Sequence, residues 1–198
     1  MFALVDNEQI TKYLSGNRGI TLGDIQYPRS IFTLWSAAER EAIGIYEVVW
    51  DNTNKKDEAY YNNTDVIYGY ASEVVTASYG SATAKPHADT LFTAQDEIDG
   101  KGTEGELKAR GLKYNLIQTV KQQAAGELTK TDWYVVRKAD AGTAVPSAIT
   151  THRAAVRTKC AEMETAITNA ADTPALETLY TRNNSGVRPL GDLPTLEV

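Results

Sequence analysis

Two histidines, His87 and His152, and one cysteine, Cys160, are all that the 198-residue chain offers of these residue types. A nucleophile–base pair or a metal centre therefore has few ways to be built. Neither histidine stands in the HExxH spacing that sets two imidazoles on one helical face for zinc. Cys160 and His152 fall on one expected helix, but eight residues is about two turns, roughly 12 Å along the axis. That is beyond the hydrogen-bond reach that activates a thiol. One cysteine forms no internal disulfide and no cysteine cluster, and on an apolar stripe it reads as a small buried hydrophobe. Asp96, Glu97 and Asp99 offer carboxylates for metal or glycoside chemistry, yet no glycine-turned calcium loop surrounds them. They read as solvated acids in a linker. The glycines of GNRG and GKGTEG lack the preceding strand and the following GK[ST] of a phosphate-cradling loop. No catalytic, cofactor-binding or metal-ligating residue is expected, and the chain reads as a protein that is not an enzyme.

Tyrosine is the residue type that does concentrate. Tyr60, Tyr61, Tyr68, Tyr70 and Tyr79 fall within twenty residues, and a phenol joins a rigid apolar ring to a hydrogen-bonding tip. The first expectation is cross-strand aromatic packing in a small sheet. The alternative is a face that binds a sugar or a protein partner, with Tyr60, Tyr68 and Tyr70 as its candidate residues.

The elements that must position these rings are β-prone. Phe2 to Val5 and Gln9 to Leu14 flank the turn residues Asp6 and Asn7 and predict a hairpin. After a loop around Tyr27 and Pro28, the segment SIFTLW is expected to be extended. Ser36 followed by Glu39 is a capping box for the short helix AAEREAI, which Gly44 ends. IYEVVWDN alternates as a strand, and VIYGYASEVVTASYG predicts a second hairpin with its turn near Ala71 to Glu73. Residues 85–102, with a proline, two glycines and several acids, are expected to be a linker.

From Thr103 the period changes. Leu107, Leu112, Leu116, Ile117, Val120, Ala124 and Leu128 recur at helical steps, and Ile149, Arg153, Val156, Cys160, Met163 and Ile167 do so again after Pro146. The two stripes predict an αα-hairpin. Its connector carries Trp133, expected to fold back onto the helix ends, so that Trp133→Ala would lower the melting temperature sharply. Arg153 and Arg157, four apart, should repel unless Asp132, Asp140 or Glu127 answers them, or should protrude to grip an acidic partner. Thr173 and Pro174 start a brief third helix. The fold class is α+β: a β-rich module over 1–84, the linker, a helical module over 103–182 and an extended tail over 183–198.

Composition excludes several classes. The net charge of −6 argues against a nucleic-acid partner, which is held by clustered Lys and Arg. MFALVDNEQ has no basic leader region, and its apolar run stops at Asp6, too short for a membrane span. The product is expected to be made in the cytoplasm.

The element Thr131-Asp132-Trp133, a connector containing a proline, and the helix HRAAVRTKCAEMETAI with its arginine pair Arg153 and Arg157 resemble the C-terminal half of tailed-bacteriophage tail and tail-fibre-associated, tail fibre assembly-like proteins. MFALVDN, Tyr13, Pro28 and Gly44–Val48 (GIYEV) are similar to that family's N-terminal module. The resemblance implies a structural virion component at the tail, baseplate or fibres, with other tail or fibre proteins as partners. Its alternative is an assembly chaperone absent from the finished particle. The second stripe spans fewer than three heptads, too short for a coiled-coil seam, so any homo-oligomer would use other surfaces. Residues 103–182 alone should therefore sediment as a monomer, whereas a stable trimer held through this stripe would contradict the intramolecular hairpin.

Overall fold

The computed structural model describes residues 1–196, and the protein is α+β. It divides into two units, Met1–Thr83 and Ala84 onward.

The first unit is built on two hairpins. β1 (Phe2–Asp6) and β2 (Gln9–Leu14) pair antiparallel, with Asn7 and Glu8 at positive φ in the two-residue turn. This is the backbone hand that matches strand twist. β3 (Ile20–Leu22) and β4 (Ile25–Tyr27) make a small separate ribbon. The segment expected to be extended is instead the single-turn helix α1 (Ile31–Leu34). Pro28 and the next two residues supply the carbonyls that accept from Ile31, Phe32 and Thr33, and burying Ile31 and Phe32 in one turn overrides β propensity. The expected capping box forms on α2 (Ala37–Glu41): Glu39 N–H donates to Ser36 Oγ, and Ser36 N–H donates to the Glu39 carboxylate.

β5 (Ile45–Asp51) follows, then the two-residue β6 (Tyr61–Asn62), and then β7 (Val66–Ala71) and β8 (Val74–Tyr79), whose turn again holds two residues, Ser72 and Glu73, at positive φ. The main sheet has the order β2-β1-β5-β8-β7, with β5 and β8 parallel and the other pairs antiparallel. On one face Leu14, Ile31, Phe32 and Ile45 form a core with Phe2, Trp35 and neighbours. The other face carries Ala3, Val5, Val48, Val75 and Ala77 beneath Tyr46, Tyr68 and Tyr70. A short strand, β9 (Thr83–Ala84), begins at the unit's last residue.

In the second unit the expected linker is ordered. β10 (Thr90–Leu91) pairs with β11 (Leu107–Ala109) around α3 (Ala94–Ile98). Because Leu107 lies in β11, the first long helix starts later than its periodicity suggests: α4 spans Leu112–Thr129. Its first amides are satisfied by the chain before it. Leu112 and Lys113 donate to the carbonyls of Pro86 and His87, and Gly111 N–H donates to Asp89 Oδ1 at 2.8 Å. A Cβ at Gly111 would lie 2.3 Å from the Ala88 carbonyl, so only glycine permits this approach.

The connector also differs from expectation, since most of it is helix α5 (Asp132–Ala141), closed by Gly142 at positive φ. α6 (Ser147–Asn169) then packs against α4 and is followed by α7 (Thr173–Tyr180). Lys113 Nζ reaches the Thr168 carbonyl at 2.8 Å, Lys121 pairs with Glu164 at 3.1 Å, and Arg153 reaches Leu128, so α4 and α6 run antiparallel. The buried stripe of α6 is Ile149, His152, Val156, Met163 and Ile167. His152 thus takes the inward place that periodicity offered to Arg153, while Cys160 is half-buried and donates to Glu164. The α7 cap is Asp172, one residue before the expected Thr173. Past α7 there is no helix or strand among the described residues. Even so, Arg182 and Arg188 both grip Asp192, and Leu190 is buried with its N–H on the Leu179 carbonyl. Of the expected tail, Glu197 and Val198 lie outside the described residues.

Asp96 shows how the 90–109 segment is held. Its carboxylate accepts from Lys108 Nζ at 2.8 and 2.9 Å and from the Thr93 amide and hydroxyl, both at 3.0 Å. It is buried rather than solvated, which corrects the reading of Asp96, whereas Glu97 and Asp99 are exposed as expected. Lys108 first, and then the Thr93 donors, hold its pKa well below the ordinary carboxylate value. A depressed folded-state pKa contributes stability above the ordinary value, and that contribution is lost as pH falls. Asp96→Asn should therefore destabilise the protein most near pH 7, with the gap to the parent closing below about pH 4, as read by urea denaturation across pH 7 to 2.

Candidate functional site

The arginine pair and the Thr131-Asp132-Trp133 element come together at one end of the α4/α6 hairpin, but only one arginine takes part. Arg153 Nη1 lies 2.7 Å from the Leu128 carbonyl, 2.7 Å from Thr131 Oγ1 and 2.8 Å from Asp132 Oδ1. Leu128 is in the last turn of α4, where carbonyls lack helical partners and the helix dipole favours a cation. Asp132 stands in the first turn of α5, where the dipole favours an anion. One guanidinium thus complements the end of one helix and the start of the next. Thr131 is fully buried between them and donates its hydroxyl back to Leu128. Its side chain does not cap α5 because that hydroxyl is already used. Arg157 is exposed and, among the described residues, pairs with no carboxylate.

Trp133 does not fold back onto the helices. It is 51% exposed, and Val136 beside it is 65% exposed. The connector being helical, Trp133 leaves α5 on its solvent side. Its ring rests on Tyr134 at 3.9 Å, and the Arg137 guanidinium lies 4.6 Å from the Trp133 ring centre and 5.4 Å from that of Tyr134. Arg137 Nε is buried without a hydrogen-bond partner among the described residues. Such a stack leaves a planar cation rigid while its other N–H groups stay available to a carboxylate. α5 therefore shows solvent an apolar stripe with a cation fixed on it, and α5 itself is fixed at its root by Arg153.

A second surface lies in the first unit. Cross-strand register sets Tyr13, Ala3 and Tyr46 in one row, and Trp50, Ala77 and Tyr68 in another. Both alanines are fully buried, and their small side chains let the flanking rings lean together. Tyr68 touches Trp50 with ring centres 6.5 Å apart, and the sheet curls until its edge strands meet through Tyr13 and Tyr68 at 4.6 Å. Tyr70 packs on Tyr46 at 5.0 Å and donates its hydroxyl to the Tyr46 oxygen at 3.1 Å. That bond, then burial, then the nearby charges of Tyr46, Glu73 and Glu8 push the Tyr70 pKa up to about 12.

Of the tyrosines singled out from sequence, Tyr68 and Tyr70 belong to this face. Tyr60 is buried to 7% and offers no accessible ring, and Tyr79 lies under the Lys55 ammonium. Tyr13, Tyr46 and Trp50 were missed. The period-two alternation of Tyr46, Val48 and Trp50 along the expected strand was the signal that would have placed two of them on one face.

Among the described residues no three His, Cys, Asp or Glu side chains come together as a metal site, and no helix is long and apolar enough to cross a membrane. Compared with known proteins, the chain matches no family, no curated protein and no solved structure.

The geometry reverses the expected ranking of substitutions. Arg153→Ala removes the charge-assisted hydrogen bonds to the Leu128 carbonyl, the Thr131 hydroxyl and the Asp132 carboxylate, leaving the carbonyl its bonds from Thr131, and should cost about 2–3 kcal/mol. Arg157→Ala should stay within about 0.5 kcal/mol, and Trp133→Ala, at a half-exposed ring, should cost far less than the ~3–5 kcal/mol of a core aromatic. Chemical denaturation of the three variants reads this order directly.

Proposed function

We propose that the protein is a non-enzymatic structural component of a tailed-phage virion, associated with the tail, baseplate or fibres, and that it works through protein contacts made by α5. The observation that carries this reading is that α5 holds Trp133, Val135 and Val136 at the surface while Arg153 fixes its root. Exposed aromatic and aliphatic residues on a rigid element are what hot spots of protein interfaces require, and leaving them in water has no benefit for folding. The resemblance of Thr131-Asp132-Trp133 and the following helix to tail and tail-fibre-associated proteins supplies the setting. Arg137, stacked and, among the described residues, unpaired with an acid, adds a place for a carboxylate of the partner.

Mass spectrometry of purified virions tests the setting, with the chain expected in stoichiometric amount. Its absence from particles, with fibre folding failing when it is removed, would instead indicate an assembly chaperone. For the contact itself, Trp133→Ala combined with Val136→Asp should reduce incorporation into particles at least tenfold while leaving the melting temperature of the free protein nearly unchanged.

A further inference from the structure

The aromatic face of the first unit has a composition that its folding role does not require. Tyr13 and Trp50 are 52% and 48% exposed on either side of half-buried Tyr68. Their rings are tilted 47° and 67° to the central one. The aliphatic floor of Ala3, Val5, Val48, Val75 and Ala77 is buried, so a ligand meets aromatic ring surfaces and polar tips and little else. At the Tyr46–Tyr70 end stand two exposed acids, Glu8 and Glu73, both close enough to act on the Tyr70 phenol. Each occupies the second position of its hairpin turn at a φ of about +60°. Glycine would sit there without steric cost, so the two glutamates are retained against the local preference at the same end of the same face.

Charge narrows the ligand. A row of rings also suits single-stranded nucleic acid, but such sites set the rings in a basic groove, and here two acids stand at one end of the face, a single lysine, Lys55, lies over Tyr79 at the other, and the chain's net charge is −6. An extended peptide adding to a sheet edge needs a free edge, and β2 and β7 are drawn together by the Tyr13–Tyr68 contact.

We infer that this face is a binding surface for a neutral oligosaccharide, with Tyr13, Tyr68 and Trp50 stacking on the C–H faces of successive sugar rings and Glu8 and Glu73 accepting hydrogen bonds from sugar hydroxyls. Alternating apolar faces and hydroxyl edges on the ligand match the alternating rings and polar tips of this face. The inference is independent of the role proposed for α5.

The test uses the full chain, labelled with nitrogen-15. A glycan array covering neutral hexoses and N-acetylhexosamines selects binders, which are then titrated by NMR beside two comparison ligands, the dodecanucleotide dT12 and a decaproline peptide. At least one neutral oligosaccharide should shift the Trp50 indole N–H and the amides around Tyr13 and Tyr68. Trp50→Ala and Tyr13→Leu should each weaken binding about tenfold, and Trp133→Ala should leave it unchanged. Both altered positions are half-exposed, and the shift mapping on the parent protein stands even if one variant misfolds. The inference is overturned if no neutral glycan binds, if the shifts map away from these rings, or if dT12 or decaproline alone moves them.

Discussion

A single guanidinium group decides how the helical unit is put together. Arg153 reaches from α6 to three oxygens belonging to Leu128, Thr131 and Asp132. Where α4 stops, the Leu128 carbonyl accepts from the amide and hydroxyl of Thr131 in the turn, and Arg153 adds a cation at the negative end of the helix dipole. All three contacts converge on Nη1, whose hydrogens are shared among the carbonyl, the hydroxyl and the carboxylate. The direction in which α5 leaves the hairpin, and hence what it shows to solvent, follows from this contact.

The first unit solves a different problem. A curled five-stranded sheet has two faces to cover, and only one of them receives α1 and the aliphatic core around Ile31 and Ile45. The other is covered by its own tyrosines, which lean over alanines and join across the sheet edges. Small residues below and large rings above fill the space while leaving the outermost rings half in water. The contacts that close this face are thus also the contacts that put Tyr13 and Trp50 at the surface.

Both hairpins of the first unit, the capped helix α2 and the α4/α6 pair were legible in the sequence because each is written in local terms: alternation, turn residues, capping pairs and helical period. Several of the misreadings depend on a partner distant in sequence, whereas α5, closed by Gly142, and the β3–β4 ribbon are local elements without a strong period to mark them. Ile31–Leu34 is helical because two of its side chains find a core. Residues 85–102 are ordered because Pro86 and His87 satisfy α4 and because Asp96 finds Lys108. For the candidate site, Asp132 and Arg153 could be paired from sequence by charge, but the part played by Thr131 could not, since its hydroxyl faces a carbonyl whose position follows from where α4 ends. The exposure of Trp133 was hidden for a related reason: an aromatic ring in a polar connector suggests burial unless the connector is known to be a helix. The aromatic face was half visible, as Tyr68 and Tyr70 lie in one strand, while Tyr13 joins them only through the curl of the sheet.

The central claim is that Arg153 holds α5 in place without being needed for the α4/α6 packing itself. Amide hydrogen exchange on the full chain carrying Arg153→Ala measures this directly. The account predicts that the amides of Asp132–Ala141 exchange at least about tenfold faster than in the parent, while the inner turns of α4 and α6, around Val120 and Val156, keep their protection. Unchanged exchange in α5, or equal loss of protection across all three helices, would contradict it.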